Sequence, residues 1–363
     1  MRKHIQQLYI GTYTKTLGSD IVSDSKGIYH CELNIEDGSL SICSTESCCE
    51  SPTFLALHPT GQYLYAINDK PYSAHLSSYA IEADTGVLRY INQQYSNGAG
   101  MSHLSIDKCG RFAVTADYLS GNVNSWKLGV DGTIEKMVSY IRHSGCGPTK
   151  KQDAAHPHSA DFTPDGNHVI VADLGNDRVY LYDYDSSTGI LRPSLYQPYI
   201  DMYPGDGTRH CLFHPNGKWL YVINELSNTV SVLDYDIDTG GLSFKQRVNT
   251  LPDDFNQHSF TAELLIPTSG KFLLATNRGH DSIAVFDIEQ DSGRLDYDSA
   301  RHFSSGGREP RSICFSRDEN LLIVANQEEN AVTVFAFDTS KGIIGDSISS
   351  VYIPKPTCVV AAR

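Results

Sequence analysis

The sequence predicts an all-β fold: a seven-bladed β-propeller, four antiparallel strands per blade, with one blade closed by both termini. Three observations carry that expectation. A strand–turn–strand segment recurs six times, its turn positions spaced by about 50 residues, within the range of propeller repeats. Each copy is followed by a second pair of β-rich runs. The two chain ends supply complementary parts of one further unit.

The repeated hairpin occupies residues 51–69, 101–118, 156–174, 205–226, 259–278 and 309–327. Its turns carry Gly61, Gly110, Gly166, Gly217 and Gly270, with Glu319 at the sixth. In GDGTRHCLFHPNGKWLYVINEL the His214-Pro215-Asn216-Gly217 stretch reads as a turn: Pro presets one backbone angle and Asn-Gly accepts the left-handed one. Leu220-Tyr221-Val222-Ile223 follows as a β-rich run. Antiparallel pairing then brings Arg209 and Glu225 to the same end of the hairpin, opposite the turn.

The following pairs, such as HLSSYAIEADTGVLRYI and TVSVLDYDIDTGGLSFK, alternate β-branched and aromatic residues into an acidic Thr-Gly turn. Glycine supplies the positive φ that a tight connection needs. Four short strands per repeat make a propeller blade. The C-terminal PTCVVAAR has the pattern of a first strand and the N-terminal LYIGTYT that of a second. GIYHCELNIEDGSLSIC adds the third and fourth, so both termini build the seventh blade and no open sheet edge is left. One domain over residues 1–363 is expected. Two insertions stand out, a polar loop at 16–26 and a Gly- and Lys-bearing loop at 143–155. Loops of this kind carry function more often than core positions do.

Composition narrows the function. The net charge of −14 argues against nucleic acid or an anionic membrane as partner. Nine scattered cysteines without a Cys-x-x-Cys pair support neither a zinc site nor a disulfide framework. No apolar run approaches a membrane span, and the N-terminus lacks an apolar signal core. A reduced, cytoplasmic protein is expected, with no metal and no cofactor, as a monomer or weak homodimer.

In a propeller the first strand of each blade lines the channel, so first-strand starts and second-strand ends share one rim. First-strand starts give that rim Thr53, Ser102-His103, His156-Pro157-His158, Arg209-His210, Ser259, Arg311 and Thr357, and second-strand ends give it Asp69, Tyr118, Asp173, Glu225, Arg278 and Gln327, while the opposite rim repeats turns such as HPTG and HPNG. His58 and His214 belong to those far turns and read as structural. Imidazole can move a proton near neutral pH, which makes His158 the candidate base, supported by His156. Arg209 and Arg278 present forks matched to carboxylate or phosphate, and Glu225 is a second base or their orienting partner. Asp69, Arg311 and Gln327 are candidate binding residues, with Lys151 and Gln152 capping the site from the long loop.

HPHSADFTPDG, ADLGNDRVYLYDYD, TRHCLFHPNGKWLYVINEL and NRGHDSIAVF resemble the seven-bladed lactonase family, over essentially the whole chain. That family includes propeller-type 6-phosphogluconolactonases and 3-carboxy-cis,cis-muconate lactonizing enzymes. The resemblance implies a channel-mouth active site of a His, two Arg and a Glu, matching His158, Arg209, Arg278 and Glu225. It further implies a hydrolase that opens a small anionic sugar-acid lactone, 6-phospho-D-glucono-1,5-lactone, in the pentose phosphate pathway. The alternatives are a muconate-type cycloisomerase and a non-catalytic binding propeller; the second calls for an apolar rim, which this sequence lacks. The chain departs from the family pattern at Lys151-Gln152-Asp153, at Asn68-Asp69 and at Gly207-Thr208-Arg209, where Arg-Gln-Glu, Asn-Glu and Gly-Pro-Arg are usual.

Overall fold

Residues 4–14 and 22–362 are described in a computed structural model of the chain. Most of the expected polar loop at 16–26 falls outside them. The described residues form seven antiparallel sheets and no helix. Numbering blades from the first hairpin, and strands a to d from the axis outward, strands a are Phe54–Leu57, Met101–Ile106, Pro157–Phe162, Thr208–Phe213, Phe260–Leu265, Pro310–Phe315 and Pro356–Ala361. Strands b are Tyr63–Asn68, Phe112–Asp117, His168–Asp173, Trp219–Asn224, Phe272–Arg278, Leu321–Asn326 and Ile5–Thr12. Blade 7 is closed as expected: Leu8 pairs with Ala361, Ile10 with Val359 and Thr12 with Pro356.

Strands b are buried along their length because each faces a neighbouring blade on both sides; Trp219–Asn224 and Leu321–Asn326 are buried at every position. This is why they read as near-continuous apolar runs rather than as alternation. Between blades 4 and 5, Tyr221, Ile223 and Val232 pack on Leu273, Ala275 and Phe286. Each such side chain contributes about 1.5–3 kcal/mol by leaving water.

Polar devices repeat at the same interfaces. The strand-b tyrosines Tyr9, Tyr65 and Tyr221 donate to the carbonyls of Gly86, Gly132 and Gly293 in the next blade's outer turn. On the far rim His58 Nε2 lies 3.0 Å from the Gly110 carbonyl and His214 Nε2 lies 2.9 Å from that of Gly270, again one blade on. Both histidines are structural, as the sequence suggests. Glu319 takes the turn position of the glycines with a φ of 59°, and its carboxylate accepts from Thr268 of blade 5.

Blade 3 differs in its outer strand, which is split into Leu191–Pro193 and Tyr199–Asp201. Pro193 and Pro198 flank the gap, and neither can donate to the ladder.

Candidate active site

Strands a begin, and strands b end, around a cavity of about 270 Å³ at one mouth of the channel. The device that fills it with polar side chains is a bulge at the start of strand a. Pro157 pairs with Asp173 but Ser159 with Ala172, which leaves His158 as the extra residue. The same shift leaves Arg209 between Thr208 and His210, Ser102 between Met101 and His103, and Arg311 between Pro310 and Ser312. All four line the cavity. A bulge leaves one residue unpaired and re-aims its side chain.

Strands b supply the answering groups. Glu225 follows strand b of blade 4, and Arg278 ends strand b of blade 5. Glu225 Oε2 lies 2.9 Å from Arg209 Nε and 3.0 Å from Arg278 Nη2. Arg278 Nη2 also donates to the Thr261 carbonyl at 2.9 Å. The Arg209–Glu225 approach is ionic rather than a well-directed hydrogen bond. Arg209 Nε, Arg278 Nε and His158 Nδ1 are buried without a hydrogen-bond partner among the described residues. Buried polar atoms in this state are costly unless something satisfies them, and a ligand's oxygens can satisfy the two guanidinium donors.

A second cluster closes the other side. Arg311 donates from Nη1 to Gln327 Oε1 at 2.9 Å and from Nη2 to the Tyr13 hydroxyl at 3.3 Å. The Tyr13 hydroxyl in turn donates to Asp69 Oδ2 at 3.1 Å.

Charge and burial set the protonation states. Burial first, then Arg209, His210, Arg311 and Arg278, hold His158 well below its ordinary value, so it is neutral at pH 7. Burial alone would raise Glu225, but Arg278, Arg209, Arg311 and Lys151 outweigh it and keep the carboxylate ionised. Burial pulls Arg209 down to about 9, still a cation at neutral pH. Burial lifts Asp69 to about 6, against the pull of Tyr13 and Arg311.

The structure thus brings His158, Arg209, Glu225, Arg278, Arg311 and Asp69 to one cavity. It sets the other four sequence candidates outside its lining. His156 stacks on Tyr118 at 4.4 Å, with Nδ1 on the Tyr118 carbonyl and Nε2 on Asp153; both ring nitrogens are engaged. Tyr118 meets the His158 ring edge-on, so His156 reaches His158 only through it. Gln152 is fully buried and donates to the Leu174 carbonyl, seating the 143–155 loop. That seat depends on Gly175, where a Cβ would lie 1.8 Å from the Ala154 carbonyl. Lys151 is exposed, with Nζ 3.9 Å from the Phe260 ring centroid. Gln327 holds Arg311 from behind.

Tyr13 and Glu263 line the cavity outside the rim positions that the sequence picks out, whereas Tyr118 and His210 stand on that rim without a role assigned from sequence. Strict alternation puts Arg209 and His210 on opposite faces, whereas the bulge lets both face the cavity. One signal was present: proline opens strand a at Pro157, Pro310 and Pro356, and proline inside sheets marks strand starts and bulges. Among the described residues no His, Cys, Asp and Glu group has the arrangement of a metal site.

With this geometry in hand, comparisons with known proteins are specific. The family model described as "Lactonase, 7-bladed beta-propeller" matches residues 7–361. A 6-phosphogluconolactonase of Bacillus subtilis (strain 168) is 36% identical over 351 residues, 97% of each chain. A 6-phosphogluconolactonase of Formosa agariphila is 30% identical over 340 residues, covering 92% of this chain and 93% of the other. The structure of the Pseudomonas aeruginosa periplasmic gluconolactonase PpgL superposes with a TM-score of 0.90 at 26% identity, covering 99% of both chains. The chain belongs to the seven-bladed β-propeller lactonase family.

Proposed function

We propose that the protein hydrolyses 6-phospho-D-glucono-1,5-lactone to 6-phosphogluconate, a step of the pentose phosphate pathway. The observation that carries this reading is a neutral histidine, its Nδ1 without a hydrogen-bond partner among the described residues, enclosed with three arginines in one cavity. His158 takes a proton from water as the water oxygen bonds to the lactone carbonyl carbon. Arg209, whose charge acts on His158 more than any other neighbour's, stabilises the oxygen that becomes negative. The ring C–O bond then breaks, and the departing oxygen takes the proton from His158. Arg278 and Arg311 hold the phosphate. Glu225 binds the Arg209 and Arg278 guanidiniums together, and its ion pairs make it a weaker base than its position alone would suggest.

The names of the relatives from Bacillus subtilis and Formosa agariphila support this substrate. The nine cysteines are all free thiols, which fits a reducing cytoplasm. No helix is long and apolar enough to cross a membrane among the described residues.

The test is lactone hydrolysis followed by acid release at constant pH, with phosphorylated and unphosphorylated gluconolactone. The phosphorylated lactone is expected to be preferred, and His158→Ala and Arg209→Ala each to lower kcat/KM by about 100-fold or more. Hydrolysis of neither lactone, or unchanged turnover in both variants, would contradict the reading.

A further inference from the structure

Among the titratable side chains that the lactone-opening steps leave unused, four stand together on strands a of blades 2 to 5: His103, Asp161, His210 and Glu263. They form a connected set. Arg209 Nη1 lies 2.7 Å from His210 Nε2, and His210 Nδ1 lies 3.0 Å from Glu263 Oε1. His103 Nε2 lies 3.8 Å from Asp161 Oδ1. The His210 ring touches those of His103 and His158, each at 5.2 Å between centroids.

Hydrogen-bond polarity fixes the tautomer of His210. A guanidinium only donates, so His210 Nε2 accepts, the imidazole is neutral and its proton sits on Nδ1. Nδ1–H then donates to Glu263. The chain runs from Glu263 to His210 to Arg209, each group orienting the next, and Arg209 meets Glu225 at its end. Arg209 is 2% exposed, and this bond to His210 is the one hydrogen bond its side chain makes among the described residues. Its contact with Glu225 attracts without directing. His210 therefore decides where the guanidinium plane lies, and Glu263 decides which nitrogen of His210 can do so.

We infer that His210, locked in one tautomer by Glu263, is a positioning residue that fixes the Arg209 guanidinium for an anionic oxygen of the ligand. The inference rests on the lactonase reading for the identity of that ligand. This role asks of His210 no contact with the substrate or with the proton in flight. It acts through Arg209, as an outer-shell partner acts on a catalytic group.

His210→Gln and His210→Leu separate direction from shape. A Gln side chain can accept through Oε1 and donate through Nε2; Leu can do neither. His210→Leu is expected to lower kcat/KM for 6-phosphogluconolactone by about 100-fold, carried by kcat, and His210→Gln to recover activity to within about tenfold of the parent. Thermal midpoints taken alongside identify a variant that fails to fold. Equal loss in both folded variants, or loss in neither, would overturn the inference while leaving the lactonase reading intact if His158→Ala is inactive. Wild-type protein without lactonase activity would instead overturn the lactonase reading. Nitrogen-15 NMR of the wild-type histidines decides the tautomer independently of activity: His210 is expected protonated at Nδ1 and bare at Nε2, and the opposite tautomer would overturn the inference.

Discussion

At His158 the excess of nearby cations does more than keep the ring neutral. An anionic substrate brings opposite charge next to Arg209, Arg278 and Arg311, so part of the field that depresses His158 is cancelled when the site fills. The acid limb of kcat/KM reports the free enzyme and is expected below the ordinary histidine value of about 6.5; that of kcat reports the complex and is expected at higher pH. Paired pH–rate profiles check this, and coincident limbs, or a kcat/KM limb above the ordinary value, would exclude His158 as the base. Asp161 offers a second residue-scale test. Burial, then the charge of Glu263, raises its carboxyl to about 8, and its Oδ2 has no partner among the described residues. A carboxyl raised in the folded state stabilises below its unfolded value, here 3.8, and that contribution is lost as pH climbs through the folded value. Asp161→Asn has no such proton to lose. Its thermal midpoint relative to wild type is therefore expected to rise steadily between those two values, and a difference that stays flat with pH would refute the assignment.

At the scale of strands the bulge is the organising element, and it explains what the sequence made legible. Residues at blade ends, found by counting repeats, gave His158, Arg209, Glu225, Arg278, Arg311 and Asp69, all in the cavity. The parts played by adjacent residues on the same strand were not legible. His210 follows Arg209 directly, and only the extra residue in the ladder lets both reach the cavity. Glu263 was hidden for the same reason, because strand a of blade 5 slips between Thr261 and Leu264. Gln152 and His156 sit beside chemically eloquent neighbours, yet their polar atoms are consumed by Leu174, Tyr118 and Asp153; hydrogen-bond partners distant in sequence are not visible in it. Strands also carry the interface bonds. Tyr65→Phe and Tyr221→Phe each remove a donor from a buried glycine carbonyl of the next blade. Each is expected to cost about 1–3 kcal/mol in urea unfolding, and no measurable loss in either would show that water replaces the bond.

For the whole molecule, closure is the central physical fact. Strand a of blade 7 holds the two chain ends together through its pairing with Ile5–Thr12, and the Thr357 hydroxyl ties it to blade 1 at the Thr53 carbonyl and to its own strand b at the Gly11 carbonyl. Removing residues 356–363 frees the inner edge of strand b of blade 7, which stays paired only with Ile28–Asn34, and deletes Thr357 from the cavity wall. The truncated chain is expected to lose its single cooperative transition in calorimetry and to associate, since it gains an open edge. An unchanged transition would mean that the ring does not depend on this seam. The fold as a whole was legible because the repeat is; the cavity's inner wiring was not, because it is written in contacts across blades.

Bulge residues from separate blades act on a single ligand in one cavity. A crystal structure with bound 6-phosphogluconate tests that most directly. The product carboxylate is expected within hydrogen-bond distance of Arg209 and His158, with the phosphate against Arg278 and Arg311. Product bound elsewhere on the propeller, or reversed so that the phosphate meets His158, would contradict it.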